Sequence, residues 1–285
     1  MAVVAVSTAA IWVRLAMEAA GNFSIGFSLF LAASRLLISS AILLPNVGKL
    51  KSQTVGISAL KLSAIAGICL AGHFACWISS LALTSVVAST TLVTTNPIWV
   101  ALLSRIFLKE KLSQSTLWGI AIAVTGGILI AAGSSTTASN AANPLVGNLL
   151  ALAGAVFASL YMLAGREAQK KLNTTSYITI AYSVAAIALL PLPWIWQTSY
   201  RGYETSVYLY IVAMAIVSQL IGHTSFNWSL RWLSPTVVAL VILIEPVISG
   251  VLAALVFKEI PSVALLWGGI VLLSGIAIAV QKKSH

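Results

Sequence analysis

Residues 85–126 read SVVASTTLVTTNPIWVALLSRIFLKEKLSQSTLWGIAIAVTG, and residues 234–275 read SPTVVALVILIEPVISGVLAALVFKEIPSVALLWGGIVLLSG. At a constant offset of 149 the pairs Ser85/Ser234, Pro97/Pro246, Lys109/Lys258, Glu110/Glu259, Trp118/Trp267, Gly119/Gly268 and Gly126/Gly275 coincide. Apolar helices look alike by composition, but chance does not readily place Pro, Lys-Glu, Trp-Gly and Gly in one register over such a length. Upstream, His73 and His223 match after a slip of one residue. The chain therefore carries an internal repeat.

The repeated units are apolar, as is the rest of the chain. Of 285 residues 59% are hydrophobic and 8% charged, with a mean hydropathy of +1.00. A soluble domain carries about 25% charged residues, so a surface built from this chain could not be wetted. Disorder needs the opposite composition. What is left is an all-α integral membrane protein. A spanning helix takes roughly 20 apolar residues, and apolar runs fall at 2–20, 25–44, 60–82, 86–107, 115–133, 145–165, 175–196, 207–229, 235–257 and 262–280. Gly21-Asn22, Pro45-Asn46 and Gly48 break the early runs, and the uncharged Ser/Thr/Asn-rich stretch near 134–144 divides the chain. The first run lacks a basic n-region and an A-x-A cleavage site, so it is expected to be a spanning helix and not a signal peptide.

Charge sets the orientation. The net charge is +10, from 16 Lys/Arg against 6 Asp/Glu. No basic patch interleaved with aromatics lies on a soluble segment, so nucleic acid is not the partner this excess points to. With the N-terminus inside, the inner loops and ends carry Lys49, Lys51, Lys61, Arg105, Lys109, Lys111, Arg166, Lys170, Lys171, Arg231, Lys282 and Lys283, and the outer ones only Arg201 and Lys258. Cytoplasmic loops hold the excess of Lys and Arg; nine or eleven spans would spoil this alternation. The expectation is ten transmembrane helices with both termini cytoplasmic. Five helices per copy is an odd number, so the second copy enters the membrane upside down. Inverted-topology repeats are a transporter architecture, with two related conformations open to opposite sides. The organisation expected is a first repeat at 1–133, an outside linker at 134–144 and a second repeat at 145–281.

The N-P-x12-K-E, W-G and G-G pattern, present twice, resembles the EamA-type family of the drug/metabolite transporter superfamily. In helix 1, Ala10-Ile11-Trp12 matches the start of that family's apolar-Trp-Gly run, with Val13 in place of the glycine. The resemblance covers nearly the whole chain. It implies a central cavity lined by helices of both halves, gates formed by helices 3, 4, 8 and 9, export of amino acids and other small metabolites or carriage of nucleotide sugars and sugar phosphates, and a location in a prokaryotic inner (plasma) membrane. It also implies that helices 5 and 10 are peripheral and give support or dimer contacts.

Polar groups at bilayer depth are functional candidates. Arg35, mid-helix 2, can offer a substrate carboxylate a bidentate fork; its structural alternative is an ion pair made for packing. Glu245 precedes Pro246, and its counterpart Asn96 precedes Pro97. Proline frees a carbonyl one turn back and kinks the helix, so Pro97 and Pro246 are candidate gating positions, and Asn96 and Glu245 candidate ligands. Glu245 is also a candidate to take and release a proton. Arg14 and Glu18 stand i, i+4 and can pair; Arg14, the deeper of the two, is a candidate for the cavity. His73 and His223 are candidates for proton coupling or for hydrogen-bonded packing, and without ligand-spaced carboxylates or cysteines they make no metal site. Trp77, Asn227 and Trp228, one turn on, are expected to line the same cavity, whereas Trp194 and Trp196 read as interface belt. Cys69 and Cys76 lie too far apart along one helix for a disulfide and read as packing residues.

The reading is a secondary transporter, not an enzyme, moving a small polar metabolite, by export, through alternating access. With no G-x-x-x-x-G-K-[ST] motif the drive is a gradient or the substrate itself, and no cofactor is expected. The partners expected are a small-molecule substrate, the bilayer, a coupling proton and a second copy of the chain. A non-transporting assembly or receptor protein is the alternative, and it gives Arg35 and Glu245 no role. A membrane-embedded transferase would need clustered His/Asp or carboxylate residues and a sizeable catalytic loop.

Overall fold

The computed structural model describes residues 1–46, 56–107, 113–137, 143–233, 238, 241–242, 244–258 and 262–280, and every regular element among them is helical. Helix α1 (Ala2–Ala20) ends on Gly21, whose φ of 58° is left-handed. Gly21 N donates to Glu18 O and Asn22 N to Met17 O, each at 3.0 Å, the paired bonds that close a Schellman end. Helix α2 (Ile25–Leu43) starts at Ser24, whose hydroxyl accepts from Phe27 N at 3.2 Å. That cap satisfies one of the orphan donors of a helix start. Helices α3 (Ile57–Leu81), α5 (Gln114–Thr137), α6 (Pro144–Gln169) and α7 (Thr174–Leu189) are continuous. Asn143 caps α6 and Asn173 caps α7, accepting from Val146 N at 3.2 Å and Ser176 N at 2.8 Å. Helix α8 (Thr205–Ser229) and α10 (Val263–Val280) complete the regular spans.

One helix is interrupted, and another segment starts at the equivalent place. Helix α4 runs Val86–Val93, breaks at Thr94–Thr95, and resumes as Asn96–Phe107. Helix α9 (Glu245–Phe257) begins at the Glu-Pro pair, so both segments start on the residue before the repeated proline. Pro97 has no N–H to give the carbonyl of Val93. In the amide orientation that satisfies its neighbours, Asn96 Nδ2 takes that role, donating to Val93 O at 2.9 Å and to Ala155 O at 3.2 Å. Thr90, Thr91, Thr94 and Thr95 all hydrogen-bond back to carbonyls one turn earlier, a habit that bends helices.

Helix α8 carries its own irregularity, a π-helical stretch over Met214–His223. An i→i+5 turn takes in one more residue than an α-turn, which accounts for the slip by which His223 answers His73. Just before it Ala64/Ala213, and at its start Ala66/Ala215, still keep the offset of 149.

Among the described residues seven helices, α1 to α4 and α6 to α8, are long and apolar enough to cross a membrane; α9 and the apolar stretches Gln114–Leu129 and Leu266–Ile278 are shorter. Several sequence-based edges move. The segment expected at 115–133 continues to Thr137, so residues 134–137 of the expected linker are helical. The segment expected at 175–196 is found as the span Thr174–Ile195, within which the regular helix pauses after Leu189, since Pro191 and Pro193 each lack a donor, and resumes as the turn Leu192–Ile195. Lys49, Lys51, Lys109, Lys111, Lys282 and Lys283, half of the inner charges, lie outside the described residues.

The main core joins α1, α2, α3, α6, α7 and α8. Helix α3 lies along α6, α1 along α8, and α2 against α7. Helices α5 and α10 pack along each other to one side, with a smaller apolar cluster of their own around Leu92, Ala123, Leu272 and Ile276. Their crossing has no room for side chains. A methyl at Gly126 would meet the backbone of Leu272 and stand 2.7 Å from Gly268 O, and one at Gly275 would meet the backbone of Ala123 and stand 2.7 Å from Gly119 O. Small residues that let backbones approach are what hold helices together where lipid removes the hydrophobic drive.

Candidate functional site

The α4 break, the start of α9 and the middle of α3, α6 and α8 meet at one cavity of about 60 Å³, lined by His73, Trp77, Asn96, Tyr161, His223, Asn227 and Glu245 among others. A water needs about 10–15 Å³ by this measure, so the cavity as it stands holds a few waters.

Its walls are ordered by hydrogen bonds and ring contacts. His73 Nδ1 lies 3.0 Å from Gly154 O; a carbonyl only accepts, so the proton of this ring sits on Nδ1 and Nε2 is left as an acceptor. The ring stacks on Trp77 at 6.0 Å with a 4° tilt and meets His223 edge-on at 6.3 Å. Asn227 Nδ2 lies 2.7 Å from Tyr161 Oη, 2.9 Å from His223 O and 3.3 Å from Tyr182 Oη. This ties α6, α7 and α8 together on the second-half side of the cavity. Glu245 is buried and contributes to the lining. Among the described residues no salt bridge to it is seen; the positive charge of Arg35 acts on it from beyond ion-pair distance. A charge in such a place needs a counter-charge or a proton, since removing an ion from water costs several kcal/mol.

Of the residues singled out in the sequence, His73, Trp77, Asn96, His223, Asn227 and Glu245 come together here. Three do not. Arg35 is fully buried one layer behind the wall: its guanidinium lies 4.1 Å over the Phe74 ring, and Nη2 donates to Gln219 Oε1 at 2.9 Å. Phe74 in turn meets His223 edge-on at 5.3 Å, so the ring separates the cation from the cavity. Arg14 reaches away from the cavity to Thr84 O at 2.6 Å and lies 5.9 Å from the Phe23 ring, while Glu18 is exposed. Trp228 is 56% exposed and packs on Trp232 at 6.4 Å, because one residue round the helix from Asn227 already faces outward. Asn96 lines the cavity, but its amide is engaged in mending the α4 break. Cys69 and Cys76 are free and half-buried, and among the described residues no group of three or more His, Cys, Asp or Glu can hold a metal ion.

Tyr161, Tyr182 and Gln219 were not legible as site residues. One signal was available: Gln219, His223 and Asn227, the amide and imidazole side chains of α8, recur every four residues, a polar stripe facing the protein interior.

The family model of EamA-like transporters matches residues 1–132 and again 145–281. The chain belongs to the EamA-like transporter family. Its relatives in this family, within the drug/metabolite transporter superfamily, are named as transporters. An uncharacterized transporter, YdfC of Bacillus subtilis, is 27% identical over 67% of this chain and 61% of its own length. An uncharacterized transporter of Archaeoglobus fulgidus is 28% identical over 66% of this chain and 65% of its own length. In both, the match thus spans less than two thirds of the relative. The pseudopaline exporter CntI of Pseudomonas aeruginosa is 24% identical over 77% of this chain and 75% of its own length. A solved crystal structure superposes over 98% of this chain and 94% of its own with a TM-score of 0.63 at 22% identity, a likeness of fold. The protein is thus an integral, multi-pass membrane protein of a transporter family.

Proposed function

We propose that the chain is a secondary transporter that exports a small polar metabolite, an amino acid or a similar compound, by alternating access. On this reading ten helices form two inverted five-helix repeats, the termini are cytoplasmic and the membrane is a prokaryotic inner membrane. The observation that carries the reading is the composition of the cavity. His73, Trp77, Thr94 and Asn96 come from the first half, and Tyr161, His223, Asn227 and Glu245 from the second, with α4 entering at its break and α9 at its start. Interrupted helices meeting at mid-depth between inverted repeats are where transporters bind their cargo.

Packing supports a two-fold relation between the halves; the inversion follows from the odd number of helices in each. An operation that exchanges the halves turns the contact of Gly126 with Leu272 and Gly268 into that of Gly275 with Ala123 and Gly119. The same operation turns the α3–α6 pair into the α8–α1 pair. The small volume of the cavity supports a contracted state, from which helices must part to admit cargo. Export is favoured by the relative named an exporter.

Glu245 selects for a substrate with a cationic group, such as an amine, or for a proton that substitutes for it. Trp77 and the two histidines supply ring faces, and Asn227 and Tyr161 polar anchors. Arg35 acts on the cavity through Phe74 and Gln219 as a positioning residue. The test is flux of a metabolite panel into proteoliposomes with and without a pH gradient. Wild type must move at least one solute faster than empty vesicles, or the reading fails. Glu245→Gln should keep downhill exchange and lose pH-driven accumulation. Loss of both would make Glu245 a substrate ligand, and loss of neither would remove it from the mechanism.

A further inference from the structure

A second and larger space, about 350 Å³, lies outside the central cavity between α4 and α5, closed by Leu152 of α6 and Leu272 of α10. Helix α5 contributes Ile120, Ala123, Val124, Gly127 and Ile128, the i, i+3, i+4, i+7, i+8 stripe of one helical face. Helix α4 is the wall between the two spaces. At its break Val93, Thr94 and Asn96 face the central cavity, whereas Leu92, Thr95, Ile98 and Trp99 face this groove.

Three features define what fits there. The rim is continuous with the apolar exterior of a membrane-embedded helix: Val124 is 55% and Ile128 65% exposed, and no water borders such a surface at bilayer depth. The polar atoms in the wall are already spent on each other, Trp99 Nε1 donating to Thr95 Oγ1 at 2.9 Å and Thr95 Oγ1 to Leu92 O at 2.8 Å, so the groove offers an occupant no hydrogen bond. The space exists because residue 127 is glycine. A methyl at Gly127 would have 3.9 Å to its nearest neighbours, Leu272 and Leu92. The second copy has Ile276 at the equivalent position and Leu272 where the first has Ala123, and both are buried. At these two positions the first copy carries the smaller residue, which leaves room on its side of the α5 wall.

We propose that this groove is an acyl-chain site, in which one tail of a bilayer phospholipid lies between α4 and α5 against the back of the α4 break. By the measure in which a water needs about 10–15 Å³, the 350 Å³ is room for more than about twenty water-sized groups, enough for a stretch of acyl chain. The tail fills the side of α4 opposite the cavity and braces the interrupted stretch from behind. The assignment needs only that α4 and α5 lie within the membrane, so it stands or falls independently of transport.

Trp99 reports occupancy directly, because bromine on an acyl chain quenches indole emission on contact. The full chain is reconstituted into phosphatidylcholine vesicles with plain or brominated tails, and the difference between wild type and Trp99→Phe isolates the emission of Trp99. We expect brominated tails to remove most of that emission in wild type. Gly127→Ile, which installs the second copy's residue, should restore it, as should Leu152→Phe, which fills the groove from α6 should the first variant not fold. An unquenched Trp99 in wild type overturns the proposal, and is the result if a second copy of the chain covers the groove. Quenching that persists in the filled variants also overturns it, since Trp99 would then meet lipid without the groove.

Discussion

Asn96 gives the sharpest test of how the α4 break is held. Pro97 cannot donate to Val93 O, and the Asn96 amide occupies that acceptor at 2.9 Å. Ala155 O, its other acceptor, also receives the Ser159 hydroxyl at 2.8 Å, so truncating Asn96 orphans one buried carbonyl. An unsatisfied buried polar group costs about 1–3 kcal/mol. Asn96→Ala should therefore lower stability by that amount, an apparent Tm loss of roughly 2–12 °C on the ~2–4 °C per kcal/mol scale of mid-sized domains. Pro97→Ala supplies an N–H that can close on Val93 O. In the Pro97→Ala background the same Asn96→Ala change should cost almost nothing. The assay is a double-mutant cycle on thermal unfolding in lipid nanodiscs, read at one scan rate because membrane proteins unfold irreversibly. Equal costs in both backgrounds would refute the reasoning: Asn96 would then owe its value to packing or to the cavity and not to the carbonyl that Pro97 leaves free.

Three further outcomes are expected. Gln219→Leu removes the hydrogen-bond acceptor of the buried Arg35, which should cost about 1.5–3 kcal/mol; Arg35→Met with Gln219→Leu should unfold at a higher temperature than Gln219→Leu alone, and a lower one would contradict the placement of the guanidinium. Gly126→Leu drives a side chain into the α10 backbone and should destabilise by at least the roughly 1–3 kcal/mol of core overpacking, whereas Gly269→Ala, with nothing within 4 Å, should hold the melting temperature or raise it slightly through helix propensity; equal losses would argue against the tight crossing. For orientation, Ser139→Cys should be labelled by an impermeant thiol reagent in intact cells and a cysteine added after Lys283 should not, and the reverse pattern would sink the topology proposed above.

The repeat, the membrane setting and the family were legible in the linear chain because each rests on local chemistry. Apolar runs follow from what lipid tolerates, and the Asn-Pro and Glu-Pro pairs dictate a helix break wherever they are placed, since the missing N–H is covalent. His73, Asn96, His223 and Glu245 were found by the same logic, as polar groups at equivalent depth. Only the tertiary structure decided which polar groups share a space. Arg35 carries the charge expected of a ligand, but the rotation of α2 presses it onto Phe74, behind the wall. Trp228 sits beside Asn227 in sequence, yet successive helical residues point about 100° apart, so one enters the cavity and the other faces out. The π-helical turn that sets that rotation in α8 left only a one-residue slip in the repeat as its trace. Close approach was equally hidden: Gly126 and Gly127 are neighbours of one type, but Gly126 lies against the α10 backbone and Gly127 opens a groove. Which glycine does which depends on where a helix 149 residues away lays its own glycine, and no local property of either residue encodes that.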